Sequence, residues 1–130
     1  NFMRYSSINA DENSSIKIGN NISVNYNVNI NSCNNGYIEI GDNVMIGQNT
    51  VLRASDHIPK DRNEKINNQS HTGGKIIIGN NVWIGANCVI LKNVKIEDNS
   101  VIGAGTIVSR NVKKNEVIVG NQQRILKTNV

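Results

Sequence analysis

The chain has only two histidines, His57 and His71, and imidazole is the side chain that most readily takes and gives a proton near neutral pH. His57 ends the motif Ser55-Asp-His57 and stands directly before a polar stretch. A ring held by a rigid element beside a loop is well placed to act as a general base; a surface histidine without a role is the plain alternative. Asp56 would be the carboxylate to orient that ring, although neighbours in a strand point to opposite sides. His71 lies in Asn68-Gln-Ser-His-Thr-Gly-Gly74, where it either touches a substrate or is simply exposed. Gly73-Gly74 reads as a hinge rather than a phosphate cradle, because no helix follows it. Two imidazoles fourteen residues apart do not supply a three-imidazole zinc site, so no metal is expected.

Trp83 is the only tryptophan and stands between Val82 and Ile84. If both neighbours face a core, the indole faces out. An exposed indole suits a flat partner such as a sugar ring or a pantetheine arm, and packing between subunits is the competing reading. Cys33 and Cys88 are far apart and lack a Cys-x-x-Cys spacing, so Cys88 reads as a small core residue and the expected compartment is a reducing one, the cytoplasm. The formal net charge of +4 lies wholly in the second half: residues 76 to 130 carry seven Lys or Arg against three Asp or Glu, and residues 1 to 75 carry seven against seven. Arg110, Lys113, Lys114, Arg124 and Lys127 make up most of it. Such a cluster can meet phosphates, but nucleic acid is disfavoured because aromatic residues for base stacking are missing. A merely solvated basic tail is the alternative.

A repeat must hold these groups in place. Ile16-Lys-Ile-Gly-Asn-Asn-Ile22, Ile38-Glu-Ile-Gly-Asp-Asn-Val44 and Ile76-Ile-Ile-Gly-Asn-Asn-Val82 are copies of one phrase. Each follows a beat of six, with an aliphatic residue first and a small or aliphatic residue fifth. The longest run leads with Ile78, Ile84, Ile90, Ile96, Ile102 and Val108. Six fits neither a 3.6-residue helix nor an unbroken strand, but it fits a short strand followed by a bend. Gly19, Gly41, Gly47, Gly79, Gly85 and Gly103 take the second position, where the bend asks for permissive backbone angles. Three bends close a triangle, so the expected fold is an all-β parallel β-helix of about four to five coils, stacked about 4.8 Å apart.

The spacing of the phrases serves as a ruler. Ile18 to Ile40 is 22 residues, Ile40 to Ile78 is 38 and Ile78 to Ile96 is 18. Against a coil of eighteen, the first excess is a small bulge near Cys33 to Tyr37. The second is a loop excursion over 58–77. Residues 1–15 then form an N-terminal cap or the remnant of something longer, residues 16–119 the coil, and residues 120–130 a tail with a short helix expected over Gln122 to Lys127. No run of about 18 apolar residues occurs, so no membrane span is expected.

Ser55-Asp-His57, Ile78-Gly-Asn-Asn-Val-Trp-Ile-Gly85, Asn99-Ser-Val-Ile-Gly-Ala-Gly-Thr-Ile-Val-Ser109 and Ile118-Val-Gly-Asn-Gln-Gln-Arg-Ile-Leu-Lys127 together resemble the hexapeptide-repeat O-acetyltransferases. The pattern is similar to the galactoside, maltose and capsular-polysaccharide members, and less so to the streptogramin acetyltransferases. The resemblance implies a left-handed coil, an exception to the usual right-handed crossover. It also implies a homotrimer with active sites between subunits, and acetyl-CoA as donor. His57 would be the general base, with Trp83, Asp56 and His71 in the cleft. Trp83, Ala86, Ala104, Ser109 and Arg110 would follow the coenzyme A arm, and Arg124 and Lys127 would lie near its phosphates. The chain departs from the family pattern at Gly120-Asn-Gln-Gln, where a proline is usual. The implied reaction is transfer of acetyl to a sugar or polysaccharide hydroxyl without a covalent acyl-enzyme. Other acceptors (serine, an amino sugar, a streptogramin-type antibiotic) and a non-catalytic trimeric scaffold stay open at this point.

Overall fold

A computed structural model describes residues 1–121 and 123–128. Its strands stack into three parallel sheets, one for each side of a triangular prism. One side holds Ser23–Val24, Met45–Ile46, Trp83–Ile84, Val101–Ile102 and Glu116–Val119. The next holds Ser7–Ala10, Asn29–Ser32, Val51–Arg53, Val89–Leu91 and Ile107–Val108. The third holds Ser15–Ile18, Tyr37–Ile40, Lys75–Ile78 and Val94–Ile96. The chain visits them in that cyclic order, so each coil is three strands and three corners.

The ruler holds in register. Ile18 pairs with Ile40, Ile40 with Ile78 and Ile78 with Ile96. Their side chains and those of the sister ladders (Val24, Ile46, Ile84, Ile102, Ile118 and Ile30, Leu52, Ile90, Val108) fill the prism axis and are almost all buried. Fifth positions point inward as well: Val44, Val82 and Cys88 are buried, and so are Thr50, Ser100 and Thr106. The hydroxyls are satisfied at close range, Thr50 Oγ1 donating to the Gly85 carbonyl at 2.9 Å and Thr106 Oγ1 to that of Gly103 at 2.6 Å.

The corners work differently from the expectation. None of the six second-position glycines has positive φ; among the described residues that conformation belongs to eleven asparagines, including Asn21, Asn43, Asn81 and Asn99 at the fourth position, and otherwise to Tyr5, Gly105 and Gly120. Asparagine tolerates the left-handed region because its short amide bonds locally. Here the amides also bond from coil to coil, Asn21 Nδ2 to Asn43 Oδ1 at 2.7 Å and Asn81 Nδ2 to Asn99 Oδ1 at 2.9 Å. Glycine is required for proximity instead. A Cβ on Gly47 would sit 2.5 Å from the Ala86 nitrogen, and one on Gly85 2.7 Å from that of Ala104.

Four boundaries move. Ser7–Ala10 already pairs with Asn29–Ser32, so coiling starts before residue 16. The excursion departs earlier than its ruler placed it: Ser55–His57 and His71–Gly73 form an antiparallel ribbon, and the ladder resumes at Lys75. Within that loop Ile66–Asn68 makes one 3-10 turn. The last hexad slips by two. Val112 takes a leading place opposite Ile96 and not a fifth, because the corner after Val108 is two residues short. Finally, the expected helix over Gln122 to Lys127 is a strand, Arg124–Thr128, folded back antiparallel on Glu116–Val119; Gln122 lies outside the described residues.

Two substitutions test this account of the coil. Ile84→Ala removes a fully buried ladder residue and should lower unfolding free energy in urea by about 2–5 kcal/mol. Asn81→Ala should cost about 1–2 kcal/mol, the penalty for an ordinary residue in the left-handed region, and Asn81→Gly clearly less. Equal losses from alanine and glycine would show that backbone conformation is not what Asn81 supplies.

Candidate functional site

His57 and His71 face each other. They are cross-strand partners in the ribbon, with Nε2 atoms 3.2 Å apart, ring centroids 3.9 Å apart and planes tilted by 48°. Both rings are exposed. His57 is therefore held by a ribbon standing off the prism, not by a rung of the ladder, and His71 is not an isolated loop residue. Fourteen residues of sequence hide this contact, because pairing across a ribbon depends on a register that the hexads do not extend into. Asp56 turns the other way: its partner in the ribbon is Thr72, and its carboxylate meets Lys92 Nζ at 3.5 Å.

A groove of about 410 Å3 lies at another corner of the prism, lined by Gly47, Trp83, Gly85, Ala86, Gly103 and Ala104 among others. Trp83 projects into solvent, 55% exposed, above Met45, which is 57% exposed on the neighbouring coil. The groove floor owes its character to the third hexad residue. Where that residue is Asp42, Asn80 or Asp98, its side chain accepts a backbone N–H from the coil below, as Asp42 Oδ1 does from Asn20 at 2.7 Å and Asp98 Oδ1 from Asn80 at 2.7 Å. At the groove corner the third residues are Ala86 and Ala104, and among the described residues neither N–H has an acceptor. The corner thus presents bare backbone donors beside an exposed indole. The change from Asn or Asp to Ala was the signal in the sequence for this feature.

The remaining residues lie elsewhere. Ser109 and Arg110 form the corner after the last full coil, where Gln123 grips them: its Oε1 accepts from both backbone N–H groups at 3.1 and 3.0 Å, and its Nε2 donates to the Arg110 carbonyl at 3.0 Å. Arg110 Nη2 in turn donates to the Gln123 carbonyl at 2.5 Å. Gln123, which lies outside the repeat, is the latch of the C-terminal strand. Arg124 and Lys127 are exposed on that strand. Cys88 is buried, and its burial pushes the thiol above its ordinary value, which keeps it protonated and unreactive. Within one chain the imidazole pair stands on the edge between the second and third sides, and the Trp83 groove on the edge between the first and second.

Residues 75–110 match the family described as bacterial transferase hexapeptide (six repeats). The fold is similar to a maltose O-acetyltransferase from Clostridium difficile 630, with TM-score 0.80 and 38% identity over 94% of this chain and 63% of that one. A galactoside acetyltransferase in complex with coenzyme A matches with TM-score 0.70 and 38% identity, over 90% of this chain and 56% of that one. A polysialic acid O-acetyltransferase, OatWY, matches with TM-score 0.79 and 31% identity, over 93% and 57%. Comparison with curated protein sequences gives no match. The chain spans about 63% of the first of these structures and less of the other two. The hand of the coil comes with the likeness: the β-helix is left-handed. Residues 75–110 thus carry the bacterial-transferase hexapeptide repeat, and the coil as a whole is similar to those of the hexapeptide-repeat O-acetyltransferases.

Proposed function

We propose that the protein transfers an acetyl group from acetyl-CoA to a hydroxyl of a sugar or polysaccharide, with His57 as general base. The observation that carries this reading is the pairing of an exposed imidazole with a groove of free backbone donors on a fold shared with maltose and galactoside acetyltransferases. In the reaction the hydroxyl oxygen attacks the thioester carbonyl as the imidazole takes its proton. The tetrahedral oxyanion is met by a backbone N–H at a coil corner, a contact worth about 3 kcal/mol in comparable sites. Collapse expels the coenzyme A thiolate, which recovers the proton from the imidazolium. No acyl-enzyme forms, in keeping with the burial and raised thiol of Cys88. Trp83, Ala86 and Ala104 hold the pantetheine arm, with Ser109, Arg110, Arg124 and Lys127 toward the phosphate end.

Imidazole and groove occupy different edges of one prism, so the working site is built from two copies, and a homotrimer supplies three such clefts. A rigid coil cannot bend to bring its own edges together. The ribbon of one copy then reaches the groove of the next and presents the acceptor. Acceptor choice rests in this reading on the likeness to sugar-modifying relatives, and a thiol-release screen over sugars, serine and streptogramins decides it.

His57→Ala should lower turnover by about 10²- to 10⁴-fold, the usual worth of a positioned acid-base group, while leaving coenzyme A affinity nearly unchanged. An unchanged rate would end the base assignment. Acetyl-CoA at about one hundred times its dissociation constant should add about 2.7 kcal/mol of stability, read as a rise in melting temperature, whereas an inert scaffold would gain nothing. Light scattering should give three copies per particle. Full activity from a monomer would refute the shared cleft.

A further inference from the structure

We propose that His57 and His71 form a two-imidazole chelate for a divalent transition-metal ion of the zinc class, and that its occupancy disables His57. The chelate itself rests on the ribbon alone; only its effect on turnover rests on the acetyl-transfer reading.

Pairs along an antiparallel ribbon alternate in kind. The Ile58 N–H donates to the Ser70 carbonyl at 2.8 Å, and Gly74 to Ala54 at 2.8 Å, so 58 with 70 and 54 with 74 are hydrogen-bonded pairs. His57 and His71 then form a pair without backbone bonds, the kind in which facing side chains come closest. Their Nε2 atoms are 3.2 Å apart. Two nitrogens bound to one tetrahedral zinc, each at about 2.05 Å, stand about 3.3 Å from each other. The ribbon has therefore already set the bite. Both rings are exposed, so they are free to turn from their 48° tilt until both lone pairs meet one ion.

Proton accounting allows it. Between two neutral rings in contact, one Nε2 carries the hydrogen and the other accepts it. Metal binding moves that hydrogen to Nδ1 of the same ring, and no net proton is lost. A metal-bound neutral His57 then has no lone pair left on either nitrogen, which is why it could not serve as a base. Imidazole donors select zinc, copper and nickel over magnesium and calcium. Among the described residues no group of three or more His, Cys, Asp or Glu converges, and Asp56 is turned away toward Lys92. Water would complete the coordination, giving an open and exchangeable site distinct from a closed three-imidazole one.

Titration calorimetry of the full chain with zinc chloride should find one site per chain. Partners that merely orient a metal ligand are worth 10- to 100-fold in affinity, so losing a ligand, in His57→Gln or in His71→Gln, should weaken binding by at least about tenfold. Copper(II) spin resonance should report two nitrogen ligands in the wild type and fewer in either variant. No zinc binding by the wild-type chain, or unchanged binding in either variant, would overturn the site. If zinc binds as expected but acetyl transfer persists with the site filled, the base assignment fails and the chelate stands.

Discussion

The structure depends on one constraint, the repeated closing of a corner every six residues. A chain of L-residues turns that tightly only if one residue enters the left-handed region and another makes room for the coil above. Asparagine does the first and glycine the second. At three corners the cost of the asparagine backbone is offset by a side-chain bond to its counterpart one coil away, as Asn27 Nδ2 bonds Asn49 Oδ1 at 3.0 Å. Stacking therefore stabilises the turns, and the turns keep the aliphatic ladders in register. Neither is stable by itself, which is why the fold shows itself as a repeat.

The same constraint explains how a site arises on so regular an object. At the Asn and Asp corners the third-position N–H groups of Asn20, Asp42 and Asn80 are each consumed by a side chain of the next coil. Alanine at positions 86 and 104 leaves the backbone geometry untouched and omits the acceptor. A structural corner becomes a row of fixed donors by the loss of one functional group. Because the backbone is held by its neighbours above and below, those donors need no reorganisation when a ligand arrives, and this is the condition under which such contacts are strongest.

What the sequence makes legible follows from where the period runs. The ladder from Ile18 to Ile96, the outward Trp83 and the inward Cys88 are read directly from it, because inward and outward are fixed by position in the hexad. The roles of Gly and Asn are harder: both are turn formers, and only the distance from Gly47 to Ala86 separates a demand for space from a demand for φ. Outside the period, reading fails for a physical reason. The His57–His71 contact, the Gln123 latch and the returning strand Arg124–Thr128 all depend on antiparallel or irregular pairings, whose register is set by local turns. The two-residue slip at Val112 belongs with them, since a shortened corner leaves the aliphatic spacing looking intact.

A prism built this way cannot change its shape to serve a reaction. Its edges are separated by sheets whose rungs are locked above and below, so groups on two edges never meet within one chain. On the proposed reading the reaction therefore uses a second body, and the apolar surface suits one. Met45 and Trp83 leave large apolar faces in water on the side that bears the groove, an arrangement that costs about 25 cal/mol for each Å2 until something covers it. On the proposed reading, covering that surface and completing the site are the same event. The rigidity that denies one chain a site of its own then fixes the geometry of a site shared by two, and the ribbon is the element left free to vary with the acceptor.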